Sequence, residues 1–144
     1  MAYHCKKTVV IKMCGIVGIA SKETFNTRKL VSLLKKLEYR GYDSAGIAME
    51  GNNLYTEKSV GKISELEKNF KLVEGNYGIA HTRWATTGAV TQENAHPHLD
   101  CKGRIAVAHN GIIENYIQLK NDLIKTGHEF RSDTDSEVIP HLLE

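Results

Sequence analysis

Gly51-Asn52-Asn53 stands between two strand-like runs, Ser44 to Met49 and Leu54 to Val60, and this hairpin limits the fold more than any other feature. A turn this short, rich in glycine and asparagine, joins neighbouring strands, and strands joined so closely must run antiparallel. Cys14 to Ser21, Tyr77 to Ala85, Arg104 to Gly111 and Glu129 to Ser132 read as further strands. Asn26 is placed to cap a helix whose Leu30, Leu33, Leu34 and Leu37 follow the i, i+3, i+4, i+7 pattern, with Gly41 placed to end it. A short helix is expected near Ser64 to Phe70. Another spans Glu114 to Thr126 through the spacing of Tyr116, Leu119 and Leu123, with Gly127 just past its end. Thr134-Asp135-Ser136-Glu137 has the spacing of a capping box and opens a last helix with Val138, Ile139, Leu142 and Leu143 on its buried side. The strands come in hairpin-like pairs rather than in βαβ order, which predicts a layered α+β fold.

There is no repeat and no Pro/Gly/Ser-rich linker, so one domain is the simplest organisation. The 144 residues carry 19 basic and 17 acidic side chains spread along the chain, which leaves no basic field to hold nucleic acid. The longest apolar runs, such as Ile16 to Ala20, fall far short of the roughly 20 residues of a membrane span, so no membrane association is expected. The first residues lack the apolar core and cleavage site of a secretory signal, which points to the cytoplasm. Cys5, Cys14 and Cys101 are odd in number and not closely paired, as reduced thiols would be. The last helix stops at Glu144 with apolar residues exposed, an expectation of a longer natural protein.

Met13-Cys14-Gly15 is the first chemically informative stretch. Methionine before a small residue is removable, and the exposed cysteine then carries both a thiol and a free α-amine. Reference pKa values of about 8.5 and about 7.7 to 8.0 let a proton pass between them at low cost near neutral pH. A small buried cysteine entering a strand fits the same residues. Asn110-Gly111 can aim two N–H donors at one point, or simply form a turn. Gly15 and Gly18 are too few for a phosphate cradle. Arg40 and Asp43 are spaced for a structural ion pair. His96, His98 and Cys101 invite a metal reading, but no fourth ligand completes the pattern and Pro97 separates the histidines; no metal and no cofactor are expected.

Five ordered motifs share the chain with Cys14: Glu38-Tyr39-Arg40-Gly41-Tyr42-Asp43-Ser44, His81-Thr82-Arg83-Trp84-Ala85-Thr86, His96-Pro97-His98, His109-Asn110-Gly111-Ile112-Ile113-Glu114-Asn115 and Ser132-Asp133-Thr134-Asp135. From Cys14 to the last residue the chain resembles the glutaminase domain of the glutamine:fructose-6-phosphate aminotransferases, which are class II glutamine amidotransferases and N-terminal-nucleophile hydrolases. The resemblance implies a four-layer αββα sandwich, truncated here at its C-terminal end, with residues 1–13 an extension outside the mature domain and 14–144 an incomplete glutaminase domain.

The resemblance also implies roles. Cys14 attacks the side-chain amide of glutamine, and the Asn110 side chain with the Gly111 backbone N–H holds the oxyanion. Arg83 binds the α-carboxylate, where the guanidinium fork suits a bidentate partner, and Asp135 binds the α-ammonium. Trp84 and Thr86 belong to a loop that closes over glutamine. The ammonia released would aminate fructose 6-phosphate in an isomerase part this chain lacks, and the full-length protein would be a homo-oligomer. Two departures stand out: Thr87 replaces the usual histidine, and twelve residues precede Met13, so Cys14 gains its α-amine only if translation starts at Met13 or the extension is removed. Other readings are a silent fragment with a binding role, the glutaminase part of an amidophosphoribosyltransferase, and a small zinc module.

Overall fold

A computed structural model describes residues 13–85 and 88–144. The chain runs β1 (Gly15–Asn26), α1 (Thr27–Lys35), β2 (Ser44–Glu50), β3 (Leu54–Val60), α2 (Ile63–Asn69), β4 (Glu74–Arg83), β5 (His98–Leu99), β6 (Ala106–Val107), α3 (Tyr116–Lys125) and α4 (Val138–Leu143). The four long strands form one antiparallel sheet in the order β1-β4-β2-β3, and the expected hairpin pairs Ser44 with Val60 through Glu50 with Leu54. β5 and β6 form a separate two-stranded antiparallel ribbon. The α+β expectation holds.

Successive residues of a strand face opposite sides of the sheet, and β4 shows what this achieves. Ala80 joins the core with Leu30, Val31 and Leu34 of α1, Ile47 and Met49 of β2, and Ile63 and Leu66 of α2. Its neighbours His81 and Arg83 face a cavity on the other side. There the ribbon region crosses the sheet: the His81 and His96 rings stack at 4.4 Å, and a Cβ on Gly46 would come within 2.1 Å of the His96 carbonyl oxygen. Only a glycine on β2 lets that loop lie so close. Helices α1 and α2 thus cover one face of the sheet, while the ribbon lies on the other side with α4 packed on it.

Asn26 caps α1 as expected, accepting from the Lys29 N–H. The helix stops before Gly41, however. It ends at Lys35, and a 3₁₀ turn over Glu38–Arg40 intervenes, from which the Glu38 carboxylate accepts the Ile63 N–H at the start of α2. Gly127 follows α3 at φ +98°, with the Gly127 N–H donating to Ile124 O and the His128 N–H to Leu123 O, which closes the helix end as its spacing predicts.

Three expected elements in the second half differ. The strand expected over Arg104 to Gly111 shrinks to Ala106–Val107, because the Asp100 carboxylate takes the N–H groups of Arg104 (2.6 Å) and Ile105 (2.7 Å) into a turn. No strand forms over Glu129 to Ser132, since the Glu137 carboxylate takes the N–H groups of Arg131 (2.8 Å) and Ser132 (2.7 Å). That same engagement removes the capping box, and the Thr134 hydroxyl meets His98 Nε2 at 2.8 Å instead. On α4, Val138, Pro140 and His141 are buried while Leu142 and Leu143 are exposed, so the expected apolar face is only partly formed.

Candidate active site

Four separate segments meet around a cavity of about 340 Å³. The start of β1 brings Cys14, the end of β4 brings Arg83 and Trp84, the segment after β6 brings Asn110 and Gly111, and the 3₁₀ turn before α4 brings Asp135. Each of these residues was nominated from the sequence, and all of them line the cavity. Thr86 and the unusual Thr87 lie outside the described residues.

Backbone pairing fixes the cysteine. Gly15 pairs with Thr82 in the β1–β4 ladder, and the Gly15 N–H also donates to Thr82 Oγ1 at 3.2 Å. Cys14 Sγ then accepts the Trp84 N–H at 3.1 Å and lies 3.5 Å from Trp84 O. Met13, exposed at the cavity rim, is its immediate neighbour.

Asn110 sits beside the cysteine with its amide turned one way. Its Nδ2 donates to Cys14 O at 3.0 Å, and its Oδ1 lies 2.9 Å from His81 Nε2. Gly111 follows at φ +154°, where a Cβ would meet the His109 ring at 2.8 Å, so glycine is required both by conformation and by space. His109 is itself held, with Nδ1 at 3.1 Å from Ser136 Oγ and its backbone N–H donating to His96 Nδ1.

Arg83 and Asp135 supply opposite charges on the cavity wall, and both are more than nine-tenths buried. Arg83 Nη1 donates to Ala89 O at 3.0 Å. Burial draws the guanidinium below its ordinary pKa, opposed by Cys14 and Asp43. Asp135 Oδ2 accepts the Ile113 N–H at 2.7 Å, and Oδ1 accepts from Ser136 Oγ, which aims the carboxylate. Asp43 does not pair with Arg40: its Oδ2 accepts the Ala85 N–H at 2.9 Å and so anchors the segment after Arg83, while Arg40 reaches Met13 Sδ.

Sequence reasoning read His96 and His98 only as possible metal ligands and did not place them with His81 behind this wall. His81 stacks on His96, and His96 packs edge-on against His98. Burial pulls His81 down to about 4 and His98 to about 3, and pushes His96 lower still with help from the neighbouring His81 and His98, so all three are neutral near pH 7. Neutral rings can accept hydrogen bonds as well as donate them, as His96 Nδ1 does from the His109 N–H. The sequence grouping of His96, His98 and Cys101 as ligands is not made either: Cys101 faces His128 and His141 instead.

Residues 66–144 match the glutamine amidotransferase domain family. The glutamine–fructose-6-phosphate aminotransferase (isomerizing) of Pyrococcus horikoshii is 57% identical over 137 residues, and that of Methanothermobacter thermautotrophicus 53% over 134, each alignment covering 92% of this chain. The chain spans less than a quarter of the length of these relatives, 22% and 23% respectively. Among solved structures, the glutamine phosphoribosylpyrophosphate amidotransferase of B. subtilis, complexed with ADP and GMP, aligns with a TM-score of 0.71 at 32% identity, over 89% of this chain and 28% of that one. The allosteric regulatory enzyme of purine biosynthesis aligns with a TM-score of 0.72 at 33% identity, over 89% of this chain and 29% of its own.

Proposed function

Because the chain belongs to the glutamine amidotransferase domain family, we propose that it is the glutaminase part of a glutamine:fructose-6-phosphate aminotransferase, and that Cys14 is its nucleophile. One observation carries the reading: every described residue nominated for glutamine binding or catalysis lines the same cavity, although they come from four distant segments.

The chemistry follows from the positions. Arg83 holds the α-carboxylate of glutamine and Asp135 the α-ammonium, so the side-chain amide is delivered to Cys14 Sγ. The thiolate adds to the amide carbon, and the developing oxyanion is met by Asn110 Nδ2 and the Gly111 N–H. Collapse of the adduct breaks the carbon–nitrogen bond, a proton from the α-ammonium of Cys14 goes to the departing nitrogen, and ammonia leaves behind a glutamyl thioester. Water then cleaves the thioester to glutamate and returns the thiol. Trp84 and Thr86 belong to the segment that closes over the substrate.

This route needs a free amine on Cys14, so residues 1–13 are an extension lost from the glutaminase domain, of which 14–144 is an incomplete part. Met13 at the cavity rim supports the reading, because its removal bares the amine beside the sulfur. The acceptor, fructose 6-phosphate, binds an isomerase part beyond these residues, in a homo-oligomeric cytoplasmic protein. Identities above 50% to the aminotransferases, against 32% and 33% to the two purine-pathway structures, support the sugar acceptor over phosphoribosylpyrophosphate. No described helix is long and apolar enough to cross a membrane.

Glutamate release from glutamine, measured for the wild type and for Cys14→Ala with intact mass in parallel, tests the proposal. Activity confined to a wild type that begins at Cys14 is expected. Equal release by Cys14→Ala, or full activity with Met1 retained, overturns it.

A further inference from the structure

Among the described residues, the principal apolar cluster draws on none beyond Ala80, and α3 has no fully buried side chain. Something else must hold the segments that carry Asn110 and Asp135. Cys101, in the turn after β5, meets His128, just past the end of α3, together with His141 on α4 and Glu144 one turn further on. None of the four lines the cavity around Cys14.

We infer that these four side chains form a structural zinc site. Their donor atoms all lie within 4.8 Å of one another. Cys101 Sγ is 3.7 Å from His128 Nδ1 and 3.4 Å from His141 Nδ1, the two Nδ1 atoms are 3.3 Å apart, and Glu144 Oε2 is 3.4 Å from His128 Nδ1. A tetrahedral zinc with Zn–S about 2.3 Å and Zn–N about 2.0 to 2.1 Å sets its sulfur and nitrogen ligands about 3.6 Å apart and its two nitrogens about 3.3 Å apart. Four of the six edges of such a tetrahedron thus fall within about 0.2 Å of these spacings, and the remaining two lie within 4.8 Å. Hydrogen bonding alone accounts for them poorly, since a proton joins one pair at a time and here four donors converge on one point.

The surroundings also suit a cation. The Glu129 N–H points at Cys101 Sγ at 3.4 Å, as backbone donors do toward a thiolate. On the far side of the His141 ring, Nε2 has no hydrogen-bond partner among the described residues but lies 3.7 Å from a Glu137 carboxylate oxygen, the partner that orients many ligating histidines. Lys102 pairs with Glu144 Oε1 at 2.9 Å, while Oε2 accepts the Cys101 N–H at 3.3 Å, which turns it toward His128. Thiolate and imidazole donors select zinc over magnesium or calcium, and four protein ligands leave no open position, so the site has a structural rather than a catalytic character. It would staple the β5–β6 turn, the end of α3 and α4 together, and so fix the 3₁₀ turn that presents Asp135.

The test uses the full chain purified without chelators. Stoichiometric zinc by elemental analysis is expected, along with visible ligand-field and thiolate charge-transfer bands after cobalt replacement, and a lowered melting midpoint on adding EDTA. Cys101→Ser is expected to lose the charge-transfer band, and His128→Ala to lose the metal. Substoichiometric zinc after equilibration with zinc salts, a midpoint unmoved by EDTA, or a cobalt spectrum without thiolate character in the wild type overturns the inference. The last two readings need no variant to fold. A Cys101→Ser protein that keeps both zinc and the wild-type cobalt spectrum overturns it as well.

Discussion

His81 Nε2 lies 2.9 Å from Asn110 Oδ1, and this contact decides which end of the Asn110 amide faces the cysteine. With Oδ1 committed to the His81 N–H, Nδ2 is left to point at Cys14. His81 is neutral, because burial holds it down at about 4, and its Nδ1 has no partner among the described residues, so the single ring proton sits on Nε2. Replacing His81 with alanine frees the amide to turn. Glutaminase kcat is expected to fall roughly 10- to 100-fold with a much smaller change in KM, the pattern of a misplaced transition-state donor. Steady-state kinetics on His81→Ala check this, and a pure KM effect would place His81 outside oxyanion positioning.

Asp135→Asn isolates charge from geometry. An asparagine carbonyl can still accept the Ile113 N–H, so the turn is expected to keep its shape. What disappears is the anion proposed to face the glutamine ammonium. Charge-assisted hydrogen bonds contribute about 1.5 to 3 kcal/mol, so KM for glutamine is expected to rise about 10- to 100-fold. An unchanged KM measured by glutamate release would remove Asp135 from substrate binding.

The stacked histidines make the fold sensitive to acid. All three have folded-state pKa values depressed below the ordinary 6.5, so below that pH the unfolded chain binds more protons than the native one. Stability therefore rises with pH in this window and is lost as pH falls below about 6.5. Each histidine contributes a slope of at most about 1.4 kcal/mol per pH unit. Urea unfolding at pH 7.5 and 5.5 is expected to show a marked loss at the lower pH, reduced in His98→Asn. Equal midpoints at both pH values would contradict neutral burial.

Gly46→Ala and Gly18→Ala form a matched pair. The first puts a methyl 2.1 Å from the His96 carbonyl oxygen, while the second meets nothing within 4 Å. Overpacking typically costs about 1 to 3 kcal/mol, so the Gly46 variant is expected to unfold at lower denaturant and the Gly18 variant to stay within about 0.5 kcal/mol of wild type. Because the loop displaced by Gly46→Ala carries His96, its glutaminase activity is expected to fall too.

The first half of the fold was legible in the sequence because its signals are local. Asn26 caps α1 and Gly51-Asn52-Asn53 turns the hairpin by chemistry confined to a few neighbouring residues. The second half was misread where carboxylates act at a distance. Asp100 and Glu137 each take backbone N–H groups that a strand pattern assigns to a ladder, and nothing in the spacing of Arg104 to Gly111 or Glu129 to Ser132 reveals the competitor. The candidate site was legible through motif resemblance, whereas its support was not. His81 orients Asn110 across 29 positions of sequence, a link that no pattern of residues displays.

The bond from Asn110 to the Cys14 carbonyl spans 96 positions, which gives the site an order of manufacture. At a ribosomal pace of about 5 to 20 residues per second, roughly 5 to 20 seconds separate synthesis of the thiol from synthesis of the asparagine. For most of that interval β4 (Glu74–Arg83) is incomplete as well, so the nascent cysteine lacks first the strand beside it and then its amide. If Cys14 is the nucleophile proposed above, a residue made early and completed late would stay idle while the chain is being built, with its N-terminal side open before the pocket closes around it.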